Sequence, residues 1–117
     1  MPYIRVRCNR PLTAETVKEL QKELGKTIEL FPGKTERWLM TDCEGNCALS
    51  LAGKADQPLA MIEVELLGKS TPDAYAAVTR DLTDLTDLME RVAGIPGEGV
   101  YVKYENLEYW GWNGNNF

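Results

Sequence analysis

The sequence predicts an α/β protein of the α+β type, in which two strand–helix–strand units of similar build form a four-stranded sheet with two helices on one face. Short segments of alternating apolar and polar residues, typical of half-buried strands, flank longer segments with apolar residues three or four positions apart, typical of amphipathic helices. This order occurs twice, over residues 2–43 and 59–104. Connections of this length join parallel strands through a right-handed crossover. The 117 residues suit a single domain over 1–117.

The first unit begins close to the start of the chain. Residues 3–8 alternate around Ile4, Val6 and Cys8 and predict a strand. Residues 36–43 predict the second strand, and the turn-rich stretch 44–57 that follows leaves room for a short strand at 47–52. Between the two strands, a helix that ends near Pro32-Gly33 is predicted by apolar residues at helical spacing: Val17, Leu20, Leu24, Ile28 and Phe31.

The second unit repeats this order. Residues 59–67 predict a strand, and residues 70–73 supply a hydroxyl cap, a proline and an acidic residue, which are typical of a helix start. Residues 100–104 predict the final strand, after Gly94 and Pro96-Gly97 end the helix. One continuous helix is predicted by an unbroken apolar stripe: Tyr75, Val78, Leu82, Leu85, Met89 and Val92.

Both helices on one face leave the other face of the sheet uncovered. Apolar residues on that face would require a partner subunit. A chain of this length also buries only about two-thirds of the surface that it exposes when unfolded, so association would add to its stability.

Composition narrows the classes of function. Thirteen Lys and Arg against eighteen Asp and Glu give a net charge of -5 without a basic cluster, which argues against nucleic-acid binding. No apolar run approaches the roughly 20 residues of a membrane span, and residues 1–20 lack a signal-peptide pattern, so we expect a cytoplasmic protein. Cys8 and the CxxxC pair Cys43 and Cys47 fit free thiols better than a redox or zinc motif. Neither a metal nor a cofactor is expected.

The chain has no histidine, which excludes Ser-His-Asp triads, Cys-His dyads and histidine-rich zinc sites. A base that works near neutral pH would then be an amine whose pKa is lowered by its surroundings. Pro2 becomes a free secondary amine when Met1 is removed. Taken alone, the Met1-Pro2 pair is also explained as a processing signal and a stiff start to a strand. With Met1 attached, the Pro2 nitrogen is an amide and cannot act as a base.

Several short segments stand out by their order and spacing: Met1–Val6, Gly33-Lys34, Leu66–Lys69, Val100–Tyr104 and Gly111–Phe117. Together they resemble the macrophage migration inhibitory factor family of the tautomerase superfamily, and the resemblance covers the whole chain. It implies a homotrimer in which three four-stranded sheets enclose a central channel. It also implies active sites at subunit boundaries that interconvert the keto and enol forms of phenylpyruvate-like 2-keto acids.

The resemblance assigns the polar part of the site. It makes Pro2 the general base and Lys34 the residue that holds the substrate carboxylate. Leu67 matches a family isoleucine whose backbone N–H supports the same carboxylate. Without the resemblance, Lys34 is explained equally simply as a solvated loop lysine.

The resemblance also assigns an aromatic part. Tyr101 matches a phenol that a neighbouring subunit supplies, Trp38 lines the pocket mouth, and Phe117 closes the pocket at the C-terminal end. With Tyr3 they would form a box suited to a planar aryl acid. Taken singly, each of these aromatic residues is more often part of a core.

Lys103 departs from the family pattern. In mammalian members the strand reads Tyr-Ile-Asn, whereas this chain has Tyr101-Val102-Lys103. Because Tyr101 and Lys103 share a strand face, a pocket-facing Tyr101 would bring a second cation near Pro2 and favour more anionic substrates. The alternative is that Lys103 bends to the rim. A preference for dicarboxylates that is lost in Lys103→Asn would separate the two.

Two features of some family members are missing. Residues 59–62 stand where a CxxC motif would lie, so thiol oxidoreductase activity is not implied. Leu12 follows Pro11 where mammalian members have arginine, so receptor-binding cytokine activity has no sequence support. Two alternatives to a tautomerase stay open: a non-catalytic cytokine-like or interaction protein, and another superfamily reaction at the same proline, such as decarboxylation or dehalogenation.

Overall fold

A four-stranded mixed sheet organises the molecule in a computed structural model that describes residues 1–84 and 88–117. The strands are β1 (Pro2–Cys8), β2 (Met40–Glu44), β3 (Ala60–Leu67) and β4 (Val100–Leu107), and they lie in the order β2-β1-β3-β4. β1 pairs in parallel with β2, and β3 in parallel with β4, while β1 and β3 pair antiparallel at the centre. The predicted arrangement of two units in one sheet is confirmed.

The helices pack on one face of this sheet. α1 (Ala14–Thr27) begins at Thr13, whose hydroxyl oxygen accepts the N–H of Thr16, and α2 (Pro72–Thr83) begins at Thr71 in the same way. A third helix, α3, covers Leu88–Ala93. The core between helices and sheet contains fully buried residues from both layers: Ile4, Val6, Ile62 and Val64 from the central strands, and Leu20, Leu24, Val78 and Leu82 from the helices.

The prediction of one continuous second helix is wrong. α2 ends at Thr83, and Asp84 is extended with φ -66° and ψ 152°. Gly97 packs so closely on the carbonyl of Thr83 that an added Cβ would overlap it, so a distant loop fixes the end of α2. The stripe stays buried on both sides of the break, at Leu82 and Met89. Leu85 lies outside the described residues.

The edges of the first unit also differ from prediction. α1 ends at Thr27 and is followed by a 3₁₀ turn, Ile28–Leu30, instead of continuing to Pro32-Gly33. Residues 36–38 form another 3₁₀ turn, and β2 starts only at Met40. Met40 is paired with Tyr3, so an earlier start would face Pro2, which has no N–H to offer a ladder.

The loops carry the remaining differences. Residues 47–52 contribute only an isolated bridge between Leu51 and Lys54. β4 runs on to Leu107 and is not the final strand, because β5 (Gly111–Trp112) and β6 (Asn115–Asn116) form a small hairpin after it. Its turn residues, Asn113 and Gly114, have φ of 49° and 82°, and positive φ at both positions is what a type I′ turn requires.

The uncovered face of the sheet is largely charged in its middle. Arg5 lies 3.7 Å from Asp42, Arg7 lies 3.6 Å from Glu44, and further charged residues follow on β3 and β4. The apolar side chains on this face are confined to its ends. The middle of this face is therefore not apolar, and the expectation that an apolar face requires a partner subunit does not apply there.

Within residues 1–84 and 88–117, no helix has the length and apolar character needed to span a bilayer.

Candidate functional site

A cavity of about 420 Å³ opens at the start of β1, and we call it the amino-terminal cavity. Its volume lies in the range of small-molecule sites. The chain start, the 3₁₀ turn before β2, one residue of β3 and the C-terminal hairpin all contribute to its wall. The lining residues are Met1, Pro2, Tyr3, Arg37, Trp38, Leu39, Met40, Glu65, Trp110, Gly111 and Trp112.

Pro2 is buried in this wall because β1 is a central strand. It pairs with Leu66 of β3. One residue further along β3, the backbone N–H of Leu67 donates a 3.0 Å hydrogen bond to the carbonyl oxygen of Met1. This bond fixes the peptide group that joins Met1 to Pro2.

Lys34 reaches the same point from the loop after α1. Gly33, with φ 82°, makes the turn, and the backbone N–H of Lys34 donates to the carbonyl of Phe31 at 3.0 Å. The Lys34 ammonium donates to the Leu67 carbonyl at 3.1 Å and lies beside the amino group of Met1. Burial, and then the Lys34 cation, lower the pKa of that amino group. The structure thus brings Pro2, Lys34 and Leu67 together, although Lys34 does not itself line the cavity.

Aromatic rings gather at the mouth of the cavity. The Trp38 ring lies 5.2 Å from that of Trp112 and 6.0 Å from that of Phe117, centre to centre, with steep angles between the planes. Tyr3 lines the cavity, and its hydroxyl donates to Asp42 at 2.9 Å. Three of the four residues of the expected aromatic box therefore lie at this cavity or against its wall.

Tyr101 and Lys103 lie elsewhere in the chain. Tyr101 is 58% exposed and lines a separate, apolar cavity of about 180 Å³ with Leu49 and Met61. The Lys103 ammonium lies 3.4 Å from the Glu63 carboxylate on the uncovered face of the sheet. Neither residue reaches the amino-terminal cavity of its own chain, and their role in a pocket stays a prediction that requires a second subunit.

Eight of the lining residues were not predicted for the site, and four of these are charged residues or tryptophans. The C-terminal hairpin brings Trp112 to Trp38, and Trp110, just before the hairpin, lines the same cavity; the Asn113-Gly114 pair is the local signal that could have revealed the fold-back. Arg37 and Glu65 also line the cavity. The position of Arg37 next to Trp38 in the sequence was the signal that could have placed it in the cavity wall.

No three potential metal ligands among Cys, Asp and Glu converge in residues 1–84 and 88–117.

The family model described as macrophage migration inhibitory factor (MIF) matches residues 1–117 of the chain. No curated protein is significantly similar to it in sequence.

Solved structures share the fold over nearly the whole chain. MIF2 of Leishmania major is 27% identical with a TM-score of 0.88, over 100% of this chain and 97% of that one. A MIF homologue from Prochlorococcus marinus is 24% identical with a TM-score of 0.78, over 98% of both chains. A protein inactivated by 2-oxo-3-pentynoate is 20% identical with a TM-score of 0.75, over 90% of this chain and 85% of that one. With a family match along its full length and the same mixed sheet, the chain belongs to the MIF family of the tautomerase superfamily.

Proposed function

We propose that this protein is a cofactor-independent keto–enol tautomerase of phenylpyruvate-like 2-keto acids, in which Pro2 is the general base once Met1 has been removed. The observation that carries the proposal is the hydrogen bond from the Leu67 N–H to the Met1 carbonyl, made beside Lys34 at the buried Pro2. The donor and the cation that the proposal requires for a carboxylate are both at that point.

The Met1 carbonyl oxygen stands in for one oxygen of the substrate carboxylate. It is a neutral acceptor on the Leu67 N–H, and a carboxylate oxygen makes a stronger, charge-assisted bond with the same donor. Lys34 adds a cation that neutralises the carboxylate. Loss of Met1 would free the N–H and expose the Pro2 amine in the same step.

The reaction moves one proton from carbon to oxygen. The neutral Pro2 amine removes a proton from C3 of the keto acid, and the C–H electrons form the C2–C3 double bond while the carbonyl electrons move to oxygen. The protonated Pro2 then gives the proton to that oxygen, which yields the enol and restores the amine. The surroundings that lower the pKa of the Met1 amino group would keep part of the Pro2 amine neutral near pH 7.

The proposal includes a homotrimer of single-domain chains acting in the cytoplasm. Its support is the position of Tyr101, which is exposed on its own protomer and too far along the sheet to serve its own cavity. A neighbouring subunit would supply Tyr101 or Lys103 to steady the enolate oxygen. The fold relative that is inactivated by 2-oxo-3-pentynoate, itself a 2-keto acid, supports this substrate class.

The test is phenylpyruvate tautomerisation by three forms of the chain whose N-termini are verified by mass spectrometry. We expect activity in the Met1-free form, none in a form that retains Met1, and a rate roughly 10²-fold lower in Met1-free Pro2→Gly, because general-base catalysis contributes at least that factor. Pro11→Gly, a substitution in the loop before α1, serves as the matched control and should retain the rate. Equal rates in all forms would reject Pro2 as the base. Sedimentation of the active form as a monomer would reject the shared site.

A further inference from the structure

Arg37 gives the amino-terminal cavity a cation that the proposed reaction does not use. It lies in the 3₁₀ turn Glu36–Trp38 and lines the cavity together with Pro2. Its guanidinium carbon is 4.9 Å from the centre of the Trp38 ring. Such stacking fixes the position of a guanidinium but uses none of its five N–H donors, so these remain available to a ligand.

No carboxylate neutralises Arg37 in the part of the chain that the structure describes. The adjacent Glu36 turns away, since its carboxylate lies against Gly25 of α1, where an added Cβ would overlap it. Glu65, from β3, also places a carboxylate in the cavity wall, but no salt bridge among the described residues joins it to Arg37. The salt bridges of residues 1–84 and 88–117 use other cations: Arg5, Arg7, Lys26, Arg91 and Lys103.

Lys103, the residue in which the sequence predicts a second pocket cation, is engaged on its own protomer. Its ammonium lies between Glu63, at 3.4 Å, and Glu105, at 3.8 Å. A cation flanked by two carboxylates attracts a further anion weakly. Arg37 takes part in none of the salt bridges of residues 1–84 and 88–117, and it lies in the wall that contains Pro2.

We propose that Arg37 determines substrate specificity by binding a second anionic group, so that the cavity prefers aryl 2-keto acids that carry another carboxylate on the ring, at the end remote from the keto acid. This inference rests on the proposed tautomerase function and names the substrate class within it. The keto-acid carboxylate lies at Lys34 and Leu67, the ring lies against Trp38, and the remote carboxylate receives the guanidinium N–H donors. A guanidinium and a carboxylate match in a two-bond geometry that an ammonium does not reproduce.

The negative net charge of the protein opposes the preference that we infer. At -5, the whole chain repels a dianion more than a monoanion at long range. A preference for the dianion must therefore come from a local contact. Loss of one positive charge elsewhere on the surface would leave the preference in place.

The experiment measures binding of two unreactive analogues, cinnamate and 4-carboxycinnamate, to the Met1-free protein through quenching of tryptophan fluorescence. We expect the dicarboxylate to bind about tenfold more tightly, which corresponds to a charge-assisted contact of about 1.4 kcal/mol. Arg37→Gln should reduce the ratio to about one, and Arg37→Lys should leave an intermediate ratio because it keeps the charge without the planar fork. Lys18→Gln, on the exposed side of α1, removes the same charge away from the cavity and should preserve the ratio.

Equal affinities in the unsubstituted protein, or a ratio that survives Arg37→Gln, would overturn the inference. If the preference for 4-carboxycinnamate is lost in Lys103→Asn and kept in Arg37→Gln, the inference is also overturned, and Lys103 binds the second anionic group instead. The readout is independent of turnover. Selective binding without phenylpyruvate tautomerisation would reject the proposed reaction alone, whereas tautomerisation without selectivity would reject only the role of Arg37.

Discussion

The backbone N–H of Leu67 and the carbonyl oxygen of Met1 are joined by a hydrogen bond of 3.0 Å. The bond lies at the end of β3, beside the carbonyl that accepts the Lys34 ammonium. Any residue that precedes Pro2 places a carbonyl oxygen on this donor. The state of the chain start thus decides two properties together, the chemistry of the Pro2 nitrogen and the availability of the Leu67 N–H.

Lys34→Gln should change both binding and pH dependence. The Lys34 cation disfavours the protonated amine next to it and so lowers its pKa, which means that removal of the cation raises it. The amine is active when neutral, so the acidic limb of the kcat/KM profile for phenylpyruvate should move to higher pH. We also expect KM to rise roughly tenfold through loss of a charge-assisted contact. Lys54→Gln, in the exposed turn before β3, is the control, and an unshifted acidic limb in Lys34→Gln would contradict this assignment.

Trp112→Ala should weaken binding of the aryl ring. Trp112 lines the amino-terminal cavity and packs edge-to-face on Trp38 at 5.2 Å. Loss of an aromatic contact worth about 0.5–1.5 kcal/mol should raise KM for phenylpyruvate roughly three- to tenfold. Pyruvate, which has no ring, should be affected little. Tyr109→Ala removes a ring that is 73% exposed and outside the cavity wall, and its kinetics should match those of the unsubstituted protein. A similar loss with both keto acids would indicate a general distortion of the site.

Cys43 should be an unreactive thiol near neutral pH. Burial, followed by the charge of Asp42, raises the pKa of its thiol to about 11. At pH 8 its alkylation should be roughly 10²-fold slower than that of an unperturbed thiol and should increase tenfold per pH unit up to the raised pKa. Iodoacetamide labelling, with each cysteine resolved by peptide mass spectrometry, measures this. Half-maximal labelling of Cys43 below pH 9 would be incompatible with its partly buried position on β2 against the core.

Gly97→Ala should destabilise the fold. A Cβ at this position overlaps the backbone carbonyl of Thr83, which cannot rotate away as a side chain would. Overpacking of this kind costs about 1–3 kcal/mol, which urea unfolding would detect as a lower midpoint with an unchanged slope. Gly111→Ala is the matched control, because its Cβ would come closest to the side-chain oxygen of Asn116, at 3.2 Å, and would meet backbone only at 3.9 Å, at the Asn115 carbonyl oxygen. Equal midpoints for the two variants would show that the loop moves away from α2 at little cost.

The sheet was predictable because its inner residues alternate so regularly. Ile4 and Val6 on β1, and Ile62 and Val64 on β3, are all fully buried at every second position. The break after Thr83 was not predictable, since the apolar stripe passes through it and the cause is a contact with Gly97, more than ten residues away. The late start of β2 likewise depends on which residue it would face on β1, and no pattern within β2 carries that information.

The candidate site likewise has residues that the sequence could predict and residues that it could not. Pro2, Lys34 and Leu67 were expected from their match to a family, and in the structure two hydrogen bonds meet at Leu67, whose N–H donates to the Met1 carbonyl and whose carbonyl accepts the Lys34 ammonium. Arg37 was overlooked because a charged residue outside a periodic strand or helix pattern gives no sign of where its side chain lies. Only the folded structure shows that it lines the cavity that contains Pro2. Tyr101 depends on a second chain, and local sequence carries little information about a contact of that kind.

The antiparallel pairing of β1 with β3 has a consequence for how the chain is assembled. Each half of the protein completes its own parallel pair, and the two halves meet along this central ladder. The covalent link between them passes through the exposed turn at Ala52-Gly53. A cut there opens this connecting loop but breaks no backbone hydrogen bond of the four-stranded sheet. Residues 1–52 and 53–117, expressed as separate polypeptides, should therefore recombine into one folded unit, and recovery of the near-ultraviolet circular dichroism on mixing would measure it. The two polypeptides would then be held together by the central ladder and by the core that both halves share.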